Sequence, residues 1–98
     1  MTPSPSFTSL ASIRARNGRS AELGERLLAL VEPARRIEGC ISHDVLRAPG
    51  DPDLWLLQGR WASQAALEHY CDGTCGQCLA EVLQGALVLE ASYSSDTL

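Results

Sequence analysis

The sequence predicts a single α+β domain, and three observations lead to this fold class. The chain has 98 residues, of which 45% are apolar, so it can bury one modest core but not two. Four segments alternate apolar and polar residues, the period of half-buried strands, and others repeat apolar residues at helical spacing. Glycine, proline and asparagine punctuate these segments in the order βαββααβ.

The first strand is predicted from Phe7 to Arg16, and Asn17-Gly18 ends it. A helix follows, for which Ser20 is the expected N-cap and Gly39 the terminator. Its apolar stripe has the spacing i, i+4, i+7, i+8 and i+11, formed by Leu23, Leu27, Leu30, Val31 and Ala34. Pro33 should kink or weaken the last turn.

Strands two and three are predicted over Cys40 to Arg47 and Leu54 to Trp61, joined as an antiparallel hairpin by the turn-forming run from Pro49 to Asp53. In strand two, Ile41, His43 and Val45 share one face. In strand three, the shared face is formed by Trp55, Leu57, Gly59 and Trp61.

Two helices and a last strand complete the chain. Ser63 should cap a helix that ends near Cys71, and a further helix begins near Thr74 and ends at Gly85. The apolar stripe of this further helix consists of Cys75, Cys78, Leu79, Val82 and Leu83. Residues from Leu87 to Tyr93 alternate as the final strand. The order predicts the ferredoxin-like arrangement, with helices on one face of an antiparallel sheet.

Composition limits the possible partners and location. The net charge is −4, and the eight cations, all arginine, are scattered, which argues against a nucleic-acid partner. Residues 1–6 are rich in proline and serine and predict a flexible tail before the domain at 7–95. No segment has the pattern of an export signal or the length of a membrane span, so we expect a cytoplasmic protein. Small domains often pair, which favours a homodimer.

The cysteines allow two chemical interpretations besides packed free thiols. His69, Cys71, Cys75 and Cys78 could together hold zinc or copper. Cys75 and Cys78 also form a Cys-x-x-Cys pair at a helix start, a pattern typical of redox-active thiols. Because both lie in the predicted core stripe and the topology lacks a redox-type βαβ context, packed thiols and no metal are the preferred interpretation.

Several short motifs, in the order and spacing of the chain, resemble the antibiotic biosynthesis monooxygenase family. They are Val31-Glu32-Pro33-Ala34-Arg35, Glu38-Gly39-Cys40-Ile41-Ser42, Arg60-Trp61-Ala62-Ser63 and Ala66-Leu67-Glu68-His69. The resemblance runs from about Phe7 to Tyr93. It implies a dimer whose two sheets close into an α/β barrel, with a cleft between sheet and helices in each subunit.

The resemblance also implies candidate site residues. Trp61 matches a family tryptophan after strand three, and His69 matches a histidine on the following helix. Two positions depart from the family pattern: Gly59 stands where glutamate is usual, and His43 where an aromatic residue is usual. The haem-degrading branch has an asparagine on strand one, whereas Asn17 lies in the turn, so haem degradation is a minor alternative.

These residues lead to a functional hypothesis: a monooxygenase that uses O2 without a cofactor on a small aromatic, quinol or polyketide-like compound. His69 is the expected base and Trp61 the expected donor at the cleft. His43, Gln58, Trp55 and Tyr70 are the expected substrate contacts. The alternative is a catalytically silent dimer that binds a small ligand or serves as an accessory subunit, which the loss of the family glutamate at Gly59 favours.

Overall fold

A computed structural model describes residues 7–97 of the chain. It contains a four-stranded antiparallel sheet with helices on one face. The elements in chain order are β1 (Phe7–Ala15), α1 (Ser20–Leu28), α2 (Val31–Arg35), β2 (Cys40–Arg47), β3 (Leu54–Trp61), α3 (Gln64–Asp72), α4 (Thr74–Leu83) and β4 (Val88–Thr97). The strand order is β2-β3-β1-β4, so the predicted ferredoxin-like fold is confirmed.

The register of the sheet brings three particular positions side by side. His43 on β2 lies opposite Gly59 on β3, and Gly59 in turn lies opposite Ser9 on β1. Because the side chains of a strand alternate between faces, these three residues face the helices.

The face predicted for β3 agrees with this register, and so do His43 and Val45 on β2. The prediction is wrong for Ile41, which is 56% exposed, because the pairing of β2 with β3 shifts between Cys40 and Ser42 and Cys40 packs inward instead.

The space between sheet and helices holds two groups of buried residues. The first, called here the aliphatic core, consists of Ala11, Ile13, Ala15, Leu23, Leu27, Leu57, Leu79 and Val88. The second, called here the aromatic cluster, consists of Ala34, Trp61, Ala66, Leu67 and Tyr70. Trp55 packs against the aliphatic core, whereas Trp61 lies in the aromatic cluster, so the two tryptophans of β3 serve different parts of the interior.

The predicted first helix forms as two helices. The break falls between Leu28 and Val31, earlier than the prediction that placed it at Pro33. Pro33 is the third residue of α2, where a missing N–H leaves no helical hydrogen bond unmade. The predicted cap at Ser20 is wrong, since no side chain caps α1. Instead, the Ser20 hydroxyl donates to the carbonyl oxygen of Pro52 and accepts the Trp55 indole N–H, which ties α1 to the β2–β3 loop.

The start of α3 agrees with the sequence prediction. Ser63 accepts a hydrogen bond from the Ala66 backbone N–H at 3.1 Å, as an N-cap does. Tyr70 lies on the buried side of this helix, and His69 beside it is exposed. The cap therefore fixes the helix that carries Tyr70 over the sheet.

Two further sequence predictions concern the N-terminal tail and membrane-spanning segments. The tail predicted at 1–6 lies outside the described residues. Within 7–97, every helix is too short or too polar to cross a membrane.

Candidate functional site

His43 is the most unusual buried residue of the described structure. Its side chain is 1% exposed, and its Nε2 lies 3.2 Å from the phenol oxygen of Tyr70. Its Nδ1 is buried and has no hydrogen-bond partner among the described residues. Most buried polar atoms are paired, because an unpaired one costs about 1–3 kcal/mol. An unpaired ring nitrogen in a closed interior is therefore a feature that a bound group could satisfy.

The backbone around His43 is held from outside the cluster. The Arg35 guanidinium donates through Nε to the carbonyl oxygen of His43 at 3.0 Å and through Nη2 to the Asp44 carboxylate at 2.8 Å. A planar guanidinium can make both bonds at once, which fixes its position. Arg35 thereby fixes β2 at the residue whose side chain enters the aromatic cluster.

Trp61 and Tyr70 form the wall next to His43. Trp61 is fully buried, and its ring centre lies 4.7 Å from that of Tyr70 and 6.2 Å from that of His43. The indole N–H of Trp61 donates to the hydroxyl of Ser9 on β1 at 3.1 Å. Buried indoles usually find such a partner, and this one joins β3 to β1 across the site.

Gly59 allows these side chains to converge. A Cβ at this position would lie 2.7 Å from the Ser9 hydroxyl, 2.8 Å from the Trp61 indole nitrogen and 3.2 Å from the His43 ring. A side chain therefore does not fit while Ser9, Trp61 and His43 keep their positions. The glutamate that the resemblance led us to expect at this position is absent, and Ser9, Trp61 and His43 approach it closely instead.

Burial sets the protonation of two titratable groups, His43 beside the aromatic cluster and Tyr70 within it. It lowers the pKa of His43 to about 4, because the charged imidazolium loses its hydration; nearby Asp44 opposes this shift and Arg35 adds to it. Burial also raises the pKa of Tyr70 above its ordinary value, with further contributions from Tyr93 and the neighbouring cysteines. At neutral pH the candidate site thus contains a neutral imidazole and a neutral phenol.

His69, the base expected from sequence, lies on the exposed side of α3, outside this cluster. It lines an open depression of about 430 Å³ together with Glu38, Gly39, Ser63, Ala65 and Ala66. Ala66 also packs in the aromatic cluster. The depression and the cluster are therefore neighbours, with Ala66 between them.

Two of the expected substrate contacts lie elsewhere. Trp55 packs against Gly24 and the aliphatic core, stacks under the Arg47 guanidinium at 4.5 Å, and bonds to Ser20. Gln58 is exposed on the outer face of the sheet, away from the helices. Of the six predicted site residues, the structure brings together Trp61, His43 and Tyr70.

Ser9 belongs to the site but was missing from the predicted set. It is 5% exposed and accepts the Trp61 indole N–H. A sequence signal existed, because Ser9 has the same strand parity as Ala11, Ile13 and Ala15, which predicts a polar side chain on a buried face. Buried hydroxyls need partners, so this parity indicates a hydrogen bond in the interior.

The cysteines are free thiols in the described structure. In the same range, no group of three or more histidine, cysteine or acidic side chains is arranged to hold a metal ion. Burial, followed by the neighbouring Cys78, raises the pKa of Cys75, whereas a redox-active thiol needs a lowered pKa. Among the described residues, His69 and the three cysteines are therefore not arranged as a metal site, and the preference for packed thiols over a Cys75–Cys78 redox pair stays a prediction.

The fold and the buried site together define a class: a small ferredoxin-like domain whose cluster of imidazole, phenol and indole lies between sheet and helices. A family model described as "Antibiotic biosynthesis monooxygenase" matches residues 6–74. The chain belongs to this family. A comparison of the chain with curated proteins found no match.

Solved structures share the fold over nearly the whole chain. A protein of Shewanella oneidensis is 19% identical with a TM-score of 0.88, covering 98% of this chain and 93% of the other. A protein of Pseudomonas aeruginosa is 28% identical with a TM-score of 0.79, covering 100% and 95%. A protein of Deinococcus radiodurans, assigned provisionally to the antibiotic biosynthesis monooxygenases, is 18% identical with a TM-score of 0.82, covering 92% and 89%.

Proposed function

We propose that this protein is a monooxygenase that oxidises a small, electron-rich phenol, quinol or enol with O2 and without a prosthetic group. The single observation that carries the proposal is the buried imidazole of His43, whose Nδ1 has no partner among the described residues, beside Tyr70 and Trp61. Family membership supports the reaction type. The substrate completes the missing hydrogen bond.

His43 acts as the base in this proposal. When its Nε2–H donates to the Tyr70 oxygen, Nδ1 carries a lone pair that accepts the substrate hydroxyl proton. A pKa of about 4 makes the free imidazole a weak base, but the phenolate formed next to it stabilises the imidazolium in a buried site. Proton transfer is thus coupled to substrate binding.

Tyr70 and Trp61 have supporting roles. Tyr70 stays protonated because its pKa is raised, so its hydroxyl can donate to an oxyanion. The buried indole of Trp61 forms a flat apolar wall against a planar substrate.

The overall reaction is balanced for a substrate whose methylene group is flanked by an aromatic ring and a carbonyl group. Its two C–H bonds break, one oxygen atom of O2 forms a new C=O bond, and the other oxygen atom leaves as water.

Substrate entry requires a conformational change. His43, Trp61 and Tyr70 are 1%, 0% and 3% exposed, so the cluster is closed to solvent. The depression lined by His69 lies on the other side of Ala66. We therefore assign the entrance to this depression, with α3 moving outward to admit the substrate. His69 then contacts the substrate on its way in.

The test is oxygen uptake with a panel of anthrones, quinols and flavonols, compared for the wild type, His43→Gln and His69→Ala. Loss of a positioned general base lowers turnover by about a hundredfold or more, which we expect for His43→Gln. His69→Ala should change KM rather than kcat. If kcat fell in His69→Ala and stayed unchanged in His43→Gln, the base would be His69 and not His43. No uptake above the uncatalysed rate with any compound would refute the monooxygenase.

A catalytically silent ligand-binding protein is the second candidate, and Gly59 is the observation that favours it. The position of the family's usual glutamate holds no side chain, and the surrounding groups leave no space for one. Such a protein would bind members of the same panel, as measured by calorimetry under nitrogen, and would show no oxygen uptake in air.

We further propose that the protein acts as a homodimer formed through the outer face of the sheet. Leu10 and Leu46 on this face are 37% and 49% exposed, and contact with a second copy would remove them from water. Light scattering across a range of protein concentrations should give twice the chain mass of 10.5 kDa. A mass of one chain throughout would contradict the dimer.

A further inference from the structure

The wall between the depression lined by His69 and the aromatic cluster is thinnest at Ala66. Of the residues that line the depression, Ala66 is the one that also packs in the aromatic cluster. The buried face of α3 consists of Ala66, Leu67 and Tyr70. Ala66 has the smallest side chain of these three, a single methyl group, and it is 7% exposed. One methyl group thus separates the depression from the cluster at this point.

Gly39 lies against this methyl group and adds no side chain to the wall. Its φ of +90° lies in the left-handed region, which favours glycine. A Cβ at this position would lie 2.6 Å from the Cβ of Ala66, so a side chain does not fit while α3 keeps its position. The wall, called here the gate, therefore consists of the Gly39 backbone and the Ala66 methyl group.

The two parts of the gate are held by different elements. The Gly39 carbonyl oxygen accepts the Ala62 backbone N–H at 2.7 Å, which ties Gly39 to the end of β3. Ala66 lies in the first turn of α3, where its N–H donates to the hydroxyl of the capping Ser63 at 3.1 Å. Terminal turns are the parts of a helix that open most easily. Outward movement of this first turn separates Ala66 from Gly39 and leaves the sheet paired.

A molecule that passes the gate meets the groups of the candidate site. Tyr70 follows Ala66 by four residues, so the two side chains lie on one face of α3, about one turn apart. The Tyr70 ring centre lies 4.7 Å from that of Trp61, and its hydroxyl oxygen lies 3.2 Å from Nε2 of His43. The gate is therefore a short route from solvent to the indole and the imidazole.

We propose that Ala66 is a specificity-determining residue, whose methyl group against Gly39 sets the size of the substrate that reaches His43. This inference rests on the proposed function, because that function requires an entrance for the substrate. In a close-fitting passage, a difference of one carbon group changes the selectivity between substrates by about tenfold or more. Alanine at this position admits a small ring system more readily than a larger one.

Quenching of Trp61 fluorescence measures the gate without turnover. A Trp55→Phe background leaves Trp61 as the one tryptophan of the chain. Acrylamide, a small neutral quencher, must reach this fully buried indole in order to quench it. In Ala66→Gly the open population should rise about fourfold, the factor that corresponds to the loss of one buried carbon group. The quenching constant of Trp61 should rise by the same factor.

Ala65→Gly is the matched control. Ala65 precedes Ala66 in the same turn and is exposed, so this substitution has the same cost in helix propensity but keeps the methyl group of the gate. Its quenching constant should equal that of the Trp55→Phe background. An equal rise in both variants would mean that the turn frays without a gate, and an unchanged constant in Ala66→Gly would mean that acrylamide enters elsewhere. Either result would overturn the proposal.

Oxygen uptake supplies a second readout, which concerns substrate size. In Ala66→Gly, the kcat/KM for a three-ring anthrone relative to that for a one-ring quinol should rise about tenfold. The same ratio in Ala65→Gly should match the wild type. The expected quenching without any oxygen uptake would refute the monooxygenase and keep the gate. Oxygen uptake with an unchanged ratio in Ala66→Gly would refute the role of Ala66 in specificity.

Discussion

The aliphatic core and the aromatic cluster lie against the same face of one sheet, but they differ in their treatment of polar atoms. The aliphatic core contains apolar side chains, and its members Ile13, Leu23 and Leu27 are fully buried. The aromatic cluster lies beside His43 and Ser9, both of them buried polar residues. Apolar burial stabilises a fold, whereas buried polar groups cost free energy unless they are paired. The comparison assigns stability to the first region, and the second is the region in which the proposed function places the chemistry.

Truncation in the aliphatic core should have the largest effect on stability. Leu27→Ala removes a fully buried side chain and leaves a cavity, so we expect the free energy of unfolding to fall by about 4 kcal/mol. Denaturant unfolding measures it. The neighbouring Leu28 is 57% exposed, so Leu28→Ala is the control and should change stability by less than about 0.5 kcal/mol. Equal effects would contradict the position of the core.

Acid should destabilise the protein through His43. Its pKa is about 4 in the folded chain, against an ordinary value of 6.5 for a solvated histidine, so between these values the unfolded chain binds a proton that the folded chain does not. The free energy of unfolding therefore falls as the pH drops from about 7 towards 4, by about 3 kcal/mol in all.

Unfolding curves at several pH values, compared with those of His43→Gln, measure this contribution. In His43→Gln, the pH dependence of the free energy of unfolding should lack the part that comes from His43 and keep the part that comes from the carboxylates. His69→Gln is the matched control on an exposed histidine and should retain the full pH dependence of the wild type. An identical pH dependence in His43→Gln would show that the imidazole is not buried as described.

A side chain at Gly59 should disturb the aromatic cluster more mildly. In Gly59→Ala the new Cβ meets the Ser9 hydroxyl at 2.7 Å and the Trp61 indole nitrogen at 2.8 Å, so we expect a loss of about 2 kcal/mol. In a Ser9→Ala background one of these contacts is gone, so the same substitution should cost less. A double-mutant cycle with no coupling would argue against the convergence at this position.

Local sequence patterns predicted most of the fold. Period-two alternation placed β2 at Cys40–Arg47 and β3 at Leu54–Trp61 with the bounds the structure has, and Ser63 marked the start of α3. These features depend on residues close together in the chain, so the sequence contains their signals. The prediction of a Ser20 cap failed because Ser20 bonds to Pro52 and Trp55, more than thirty residues away.

The sequence by itself determined the fold class and the family. Only the tertiary structure decided that His43, rather than His69, lies beside Trp61 and Tyr70, and that Ser9 joins them. The physical reason is that strand register and helix rotation set which side chains meet across the interior. His69 and Tyr70 are neighbours in the chain, but once α3 packs on the sheet, the Tyr70 side chain faces the interior and the His69 side chain faces solvent.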